Sequence, residues 1–465
     1  MLALVSVASL ISCTTLPPPE SSVGTPAGWH QDSAEGKVLE EWWSDLGDTN
    51  LVALITEALV ENPSLAAMRA RVQAAIEQSR IAGSASLPSV AAQAGSSRQQ
   101  QVFVGLPIPG TSGPLKTRAT THSFQLVADW ELDVWGRVRS GRKAALADYL
   151  ATTDDLRGAR LSLAGQVARG WFRLAEADRQ LQLAKATAAS LEQTGNRMQA
   201  RYEEGIRSPI EVRVTKSNAA SARALVAMRE VELNDAQRQL QSLLGRYPDG
   251  ELSGPSLLQE PLTDVPAGLP AELLDRRPDL VAARWKLKAA GFRVEEANAA
   301  RLPAISLTVS GGRTSNELQD LLDHDFSVWS LAANAAQPIF QGGRLRSNIH
   351  LNKALLEAAA KDYDAAVLNA FREVETALAN ESLLRQRESE LRETDRQARA
   401  ASRLAAERYE AGLDDLLTLL ETRRRGLDAE SQLIAVRRAR LDNRVALHLA
   451  LGGGLTWDDE DENGS

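Results

Sequence analysis

The sequence has few of the side chains on which enzymes and metalloproteins depend. It contains one cysteine and five histidines in 465 residues, with no His-Glu-x-x-His or Cys-x-x-Cys pairing to hold a metal. Gly311-Gly312 and Gly452-Gly453-Gly454 lack the Lys-Ser/Thr of a phosphate loop, so we expect a turn at the first and a helix end at the second. We therefore predict no catalytic site, no metal site and no cofactor.

The sequence also lacks a basic surplus and long apolar runs. The net charge is −8, with a cluster of acidic residues between Asp458 and Glu462, which makes nucleic acid a poor partner. No apolar run approaches the roughly 20 residues that a spanning helix needs. If the chain crosses a membrane, we expect it to do so with strands.

Aromatic residues and helix-breaking prolines are sparse over long stretches. No proline occurs between Pro114 and Pro209 or after Pro338. Val138 to Glu204 is predicted to be a single helix, which at about 1.5 Å per residue extends roughly 100 Å. Leucine or isoleucine recurs every seventh position near the C-terminus, as in a coiled coil or the seam of a soluble bundle, at Leu420, Leu427, Ile434 and Leu441.

Shorter segments predict an amphipathic helix and four strands. The helix runs from Asn50 to Ser86, after the capping residue Asp48, and is interrupted at Asn62-Pro63. The predicted strands are Leu87 to Val104, Thr120 to Trp135, Leu302 to Val309 and Phe326 to Phe340. Four strands are too few to close a membrane barrel, so we expect several chains to combine their strands in one barrel. Aromatic residues near their ends fit an interfacial belt or ordinary core packing: Trp130, Trp135, Trp329 and Phe340.

The chain repeats itself. Arg201-Tyr202-Glu203-Glu204-Gly205 returns as Arg408-Tyr409-Glu410-Ala411-Gly412, at an offset of 207 (408 minus 201). Upstream, Pro63 matches Pro278 at an offset of 215 (278 minus 63). The difference of eight indicates an insertion in the first copy, which we place in the Gly/Pro-rich segment from Phe103 to Gly110.

The lone cysteine follows the apolar run from Leu2 to Ser12. Leu10-Ile11-Ser12-Cys13 resembles the lipobox of a bacterial lipoprotein, which implies cleavage before Cys13 and an N-acyl and S-diacylglycerol lipid on it. The alternative is an ordinary hydrophobic segment that contains a cysteine. A signal sequence normally begins with positively charged residues, but no Lys or Arg precedes this apolar run. Thr14 is not the Asp that implies inner-membrane retention, so the outer membrane is the expected destination.

These features divide the chain into six predicted segments. They are a signal segment (1–12), a lipidated cysteine and tether (13–36), a first repeat (37–250), a linker (251–272), a second repeat (273–454) and an acidic tail (455–465).

In the order of several short motifs, the chain resembles the outer-membrane efflux proteins of the TolC and OprM type. Within them it resembles the lipoprotein (NodT-like) branch, which is paired with resistance-nodulation-division pumps. The resemblance covers almost the whole chain after the tether. Its markers are Trp42-Trp43 with Leu46 and Leu51, Asn62-Pro63, Trp130 to Arg137, Tyr202 with Gly205, Arg276 to Leu280, Pro338 to Phe340 with Gly342-Gly343, Tyr409 with Gly412, and Ala450 to Gly454.

This resemblance implies a mainly α protein whose duplicated helix–strand–strand–long-helix unit forms a trimer. Each protomer then gives four strands to a twelve-stranded outer-membrane β-barrel, continued by a periplasmic α-helical barrel. The implied function is a passive exit duct for drugs or other small toxic compounds, opened by a periplasmic adaptor and an inner-membrane pump. A duct for protein secretion and a non-conducting periplasmic coiled-coil lipoprotein remain alternatives.

The resemblance also implies a periplasmic aperture, with an apolar ring at Leu417 and an acidic ring at Glu421, where Asp is commoner in the family. The two lie four positions apart, so both are expected on one helix face. Three leucines dewet a narrow pore and three carboxylates bind cations. The helix breaks expected to form the gating hairpin contain Tyr202, Gly205, Tyr409, Gly412, Asp414 and Asp415.

Overall fold

The computed structural model describes residues 22–30, 42–103, 115–254 and 265–453. The predictions for the signal segment, Cys13, most of the Gly/Pro-rich segment, part of the linker and the acidic tail therefore lie outside the described residues.

Two successions of helices and strands follow one another along the chain. The first contains α1 (Thr49–Glu61), α2 (Pro63–Ser84), β1 (Ser89–Phe103), β2 (Leu115–Leu132), α3 (Arg137–Glu203) and α4 (Pro209–Leu243). The second contains α5 (Pro270–Arg276), α6 (Pro278–Ala299), β3 (Ala304–Ser315), β4 (Ser327–Ala336), α7 (Arg344–Glu410) and α8 (Leu416–Ala450). Both α3 and α7 have 67 residues, and both α4 and α8 have 35, so the repeat read from the sequence is also a repeat of structure. Short 3-10 turns lie at Trp42–Leu46, Gln319–Leu322 and His324–Phe326.

The first helix is interrupted where the sequence predicted. The Asp48 carboxylate accepts from the backbone N–H groups of Asn50 and Leu51 and caps α1. The Asn62 side chain accepts from Ser64 N at 2.9 Å, and its amide donates to the carbonyl of Leu243 at 2.8 Å. Among the described helices, none is long and apolar enough by itself to span a bilayer; only α1 and α2 taken together meet that test, and they are bent by 46°.

The four strands form one antiparallel sheet in the order β1-β2-β3-β4. The expected turn at Gly311-Gly312 is wrong, because both glycines lie inside β3. A Cβ at Gly312 would lie 2.1 Å from the carbonyl oxygen of Phe124, so only glycine fits this approach of β3 to β2. By contrast, Gly452 has a φ of +85° after the end of α8, as expected of a helix terminus.

The two faces of the sheet differ in polarity. Residues directly opposite each other in neighbouring strands share a face, so the register assigns each side chain to one of the two. One face carries a band of large apolar side chains: Val90, Phe124, Leu126, Trp130, Leu132, Ile305, Leu307, Val309, Trp329 and Leu331. The other carries mainly polar ones, among them Gln93, Gln125, Asp129, Glu131, Ser306, Thr308 and Asn334.

The chain divides into two compact units. One contains Gln73–Ala151 and Arg284–Asp362, and therefore all four strands. The other contains Ser21–Val72, Thr152–Ala283 and Tyr363–Ser465, and therefore most of the long helices. Within this second unit, a core forms around the buried Trp42, Ile55, Trp171, Leu240 and Val445, which come from the N-terminal turn, α1, α3, α4 and α8.

A buried ion cluster joins α7 to α8 within the helical unit. The Glu388 side chain is 3% exposed and accepts from Arg392 at 2.9 Å, Arg437 at 3.2 Å and Arg440 at 2.5 Å. Burial raises the pKa of Glu388, but the hydrogen bonds from Arg440 and Arg392 outweigh it and leave the pKa below its usual value. Glu388 is therefore ionised and compensated inside the helical unit.

Candidate functional site

The two helix breaks predicted to form the gating hairpin have the same backbone geometry. Gly205 follows α3 with a φ of +77°, and Gly412 follows α7 with a φ of +75°. In each case the N–H of the next residue donates back to a carbonyl of the preceding helix, at 2.8 Å from Ile206 to Arg201 and 2.9 Å from Leu413 to Arg408. A side chain at either glycine would be strained, because positive φ is unfavourable for other residues.

Each break ends in a capped helix start. In the first, the Ser208 hydroxyl accepts from Ile210 N, and the Glu211 carboxylate accepts from Ser208 N at 3.0 Å. In the second, the Asp415 carboxylate accepts from Thr418 N at 2.8 Å, and hydrogen bonds from the side chain and then the backbone of Thr418 lower the pKa of Asp415. Asp415 therefore has a local capping role.

Asp414 is also engaged locally. Its carboxylate accepts from the Arg408 guanidinium at 2.8 and 3.0 Å, and the hydrogen bond from Arg408 lowers the pKa of Asp414. The pair ties the end of α7 to the connection into α8, so the acidic dipeptide stabilises the turn itself.

The two tyrosines occupy different environments, although the repeat makes them equivalent in sequence. Tyr202 is 42% exposed, whereas Tyr409 is 3% exposed. The Tyr409 hydroxyl donates to Met198 Sδ of α3 at 3.1 Å, and the Arg207 guanidinium lies 5.0 Å from the ring centroid of Tyr409. Burial, opposed by the charge of Arg207, raises the pKa of Tyr409. Of the two tyrosines, Tyr409 alone joins the two breaks.

A small apolar cluster holds the breaks against each other. It contains residues from all four long helices: Met198, Val212, Ala405, Tyr409, Leu416 and Leu419. Outside this cluster, Arg423 of α8 donates to the Thr194 hydroxyl of α3 at 2.9 Å, and Arg197 pairs with Glu410 at 3.5 Å. The structure therefore brings the α3–α4 and α7–α8 connections into one site.

Leu417 and Glu421 lie on the exposed face of α8. Leu417 is 65% exposed, while its neighbours Leu416 and Leu419 are buried. The Glu421 carboxylate accepts from Arg424 at 3.0 Å and from Arg425 at 2.8 Å, and these bonds lower the pKa of Glu421 to about 2. Glu421 is therefore an ionised carboxylate whose charge is offset by two arginines beside it.

Several of these contacts were missed, and some had a signal in the sequence. Ser208-Pro209-Ile210-Glu211 is a capping box with proline at the first helical position, and Glu421 precedes arginines at the helical spacings of three and four. The contact of Arg207 with Tyr409 had no such signal, because the two residues are far apart in sequence.

An exposed group of ligand-type side chains lies far from the helix breaks in sequence. Asp323, His324 and Asp325, on the connection from β3 to β4, place ligand atoms within 4.8 Å of one another. The histidine nitrogens lie 3.3 and 3.1 Å from the two carboxylates, and all three residues are exposed. We assign no ion to this group, because nothing buried supports its geometry.

Comparison with known proteins gives consistent matches over most of the chain. The family model described as "Outer membrane efflux protein" matches residues 54–246 and 269–453. The chain is 33% identical over 470 residues to the outer membrane protein OprJ of Pseudomonas aeruginosa, covering 98% of the chain and 96% of the relative. It is 32% identical over 456 residues to the pyoverdine export outer membrane protein OpmQ of Pseudomonas putida, covering 97% and 96%.

The fold is likewise similar to that of solved channels. The structure matches the open state of the Neisseria gonorrhoeae MtrE outer membrane channel with a TM-score of 0.83 and 30% identity, covering 95% of this chain and 99% of that one.

Proposed function

The chain belongs to the outer membrane efflux protein family, and from that premise we propose that three copies assemble into the exit duct of a tripartite efflux system. The protein is an outer-membrane component of an efflux pump. Our proposal concerns four further properties of this component: its trimeric assembly, its aperture, its lipid anchor and its partners.

The sheet supports assembly from several chains. Within the described residues, β1 and β4 each pair along one edge only, which leaves two rows of backbone donors and acceptors without strand partners. Such edges cannot face lipid, because each unsatisfied group there costs several kcal/mol. Pairing β1 of one copy with β4 of the next removes both edges, and three copies give twelve strands.

The difference between the two faces is the observation that carries the proposal. Along β2, the apolar band runs from Phe124 to Leu132, about 27 Å at roughly 3.4 Å per residue. A strand tilt of about 40° reduces its height to about 21 Å, compared with about 25 Å for the apolar band of outer-membrane barrels. Val90, Leu126 and Leu331 are 54–69% exposed in the single chain, so this face is available to lipid. The polar face then lines the lumen.

The aperture is proposed at the exposed face of α8. Leu417 projects from the first turn of α8 without a packing partner that buries it, so three copies in a ring give an apolar constriction. Glu421 lies one turn further with Arg424 and Arg425. The ring at this level then contains charges of both signs, and cation binding there is expected to be weaker than for carboxylates alone.

Opening is proposed as movement of the α7–α8 connection away from the α3–α4 connection, biased by an adaptor protein and an inner-membrane pump of the resistance-nodulation-division type. Such movement must break the contacts of Tyr409 with Arg207 and Met198. Gly205 and Gly412 permit the turns on either side of this contact.

Lipidation of Cys13 and the predicted division into segments complete the proposal. A lipid on Cys13 adds an anchor to a protein whose strands already hold it in the membrane, so it assists localisation more than folding. The relatives carry names that refer to pyoverdine, toluene and solvent, which indicates that one fold serves different compounds. We therefore assign the choice of exported compound to the pump and limit it here to small molecules.

Mass measurement and conductance test the proposal together. The purified protein in detergent is expected to have three times the mass of the chain and to form pores in planar bilayers. A stable monomer that retains its strands contradicts the trimer, and a trimer that never conducts favours a structural lipoprotein.

A further inference from the structure

A cavity of about 760 Å³ lies between α3, α7 and α8 in the helical unit, next to the contacts that hold the helix breaks together. Its volume is within the range of small-molecule sites, about 300–1,000 Å³. Leu183, Ala186, Leu191 and Leu427 give it an apolar portion, and Thr187 and Ser190 add hydroxyl groups.

The lining is strongly cationic in a protein whose net charge is −8. Five arginines line the cavity against two carboxylates. Three of the arginines form ion pairs: Arg392 with Glu388, Arg396 with Glu393, and Arg399 with Asp395 and Glu430. Within the part of the chain that the structure describes, Arg403 and Arg423 form none. Two arginines of the cavity wall are therefore without an ion-pair partner among the described residues.

Arg423 is the more constrained of the two. It is partly buried, and its guanidinium donates to the neutral Thr194 hydroxyl at 2.9 Å. Burial and then the nearby charge of Arg197 lower the pKa of Arg423, and the charge of Glu410 only partly opposes this. Among the described residues, Thr194 is the hydrogen-bond partner of this guanidinium, which has five N–H donors, so the others are available to an anion.

We propose that this cavity binds an amphipathic organic anion, with its carboxylate or sulfonate on Arg423 and Arg403 and its apolar body against Leu183, Leu191 and Leu427. Each guanidinium is planar and donates charge-assisted hydrogen bonds in a geometry that suits a carboxylate or a sulfonate. A purely inorganic anion leaves the apolar portion unfilled, and a neutral apolar compound leaves the two cations without a partner. The site is independent of the proposed aperture, since neither Leu417 nor Glu421 lines it.

Two dyes of the same skeleton test the proposal. 1-Anilinonaphthalene-8-sulfonate carries a sulfonate, and N-phenyl-1-naphthylamine lacks it. The full chain in detergent is titrated with each dye, and empty micelles provide the reference. We expect saturable binding of the sulfonate at one site per chain, weakened by salt because the contact is ionic. Arg423→Gln is expected to raise its dissociation constant about tenfold, and Arg403→Gln several-fold.

Arg213→Gln is the matched control. Arg213 is an exposed arginine on α4 that does not line the cavity, so the same loss of charge there is expected to leave sulfonate binding unchanged. Binding of the neutral dye is expected to change less than twofold in all three variants. Arg403 is exposed, so Arg403→Gln keeps the test decisive if Arg423→Gln fails to fold.

The proposal is overturned if the sulfonate signal equals that of empty micelles. It is also overturned if Arg403→Gln binds the sulfonate like wild type, or if both dyes lose affinity equally. The last result assigns Arg423 a packing role between α3 and α8 instead.

Discussion

Removing the cation above Tyr409 is expected to favour the open channel. Arg207 lies 5.0 Å from the Tyr409 ring centroid, and its side chain is 25% exposed. A cation over an aromatic ring in a partly desolvated site contributes roughly 1 kcal/mol. The ion pair of Arg207 with Glu211 at 3.5 Å adds little, because such pairs near solvent contribute about 0–1 kcal/mol. Arg207→Ala therefore costs about 1 kcal/mol of contact between the two connections in each chain.

The proposed trimer multiplies this effect. If three protomers open together, about 3 kcal/mol is lost from the closed state, which shifts the closed-to-open ratio by roughly a hundredfold. Open probability in planar bilayers measures this shift directly. Arg207→Lys keeps a cation and is expected to retain much of the contact. Tyr409→Phe keeps the ring and loses only the hydroxyl donated to Met198, so its effect is expected to be smaller than that of Arg207→Ala.

The control is Arg213→Ala on α4, an exposed arginine for which the same change of charge is expected to leave conductance unchanged. If Arg207→Ala remains trimeric and conducts like wild type, opening does not separate the two connections at Tyr409. The assignment of this contact to gating is then wrong.

Four further changes test other parts of the molecule. The double variant Leu417→Ala/Glu421→Ala is expected to raise planar-bilayer conductance and to admit large antibiotics into cells; wild-type conductance by a trimeric variant contradicts the aperture. Gly312→Ala is expected to lower the yield of folded trimer on gels, because its Cβ would lie 2.1 Å from a carbonyl oxygen of β2, whereas Gly311→Ala has open space and serves as control. Glu388→Gln is expected to cost about 3 kcal/mol at neutral pH, read as a fall in melting temperature. Since the pKa of Glu388 is lowered in the folded chain, this stabilisation is complete above the ordinary carboxyl pKa and is lost as the pH falls through the lowered one, so the two proteins should converge in acid. Labelling with a radioactive fatty acid should mark wild type and not Cys13→Ser, and equal labelling of both removes the lipoprotein prediction.

The sequence by itself predicted the features that depend on local signals. The predicted helix from Val138 to Glu204 differs by one residue at each end from α3, because uninterrupted helix formers without proline specify a helix locally. The repeat offset located Gly205 and Gly412, and both have the positive φ that ends such helices. The four predicted strands were found, but their bounds were partly wrong. β3 was predicted to end at Val309 and continues to Ser315. β2 begins at Leu115 and ends at Leu132, and β4 ends at Ala336, so Trp135 and Phe340 lie beyond the strands that were predicted to contain them.

Only the tertiary structure decided how residues at equivalent positions of the repeat differ in burial and contacts. Gly311-Gly312 is a turn signal when read locally, but both residues pair with β2 and β4, and at Gly312 β2 approaches so closely that a side chain does not fit. Tyr202 and Tyr409 are equivalent by repeat, yet one is exposed and the other is buried against Met198 and Arg207. Local propensity acts on neighbours along the chain, whereas burial and charge compensation depend on residues that only folding brings together, so no pattern within one segment specifies them.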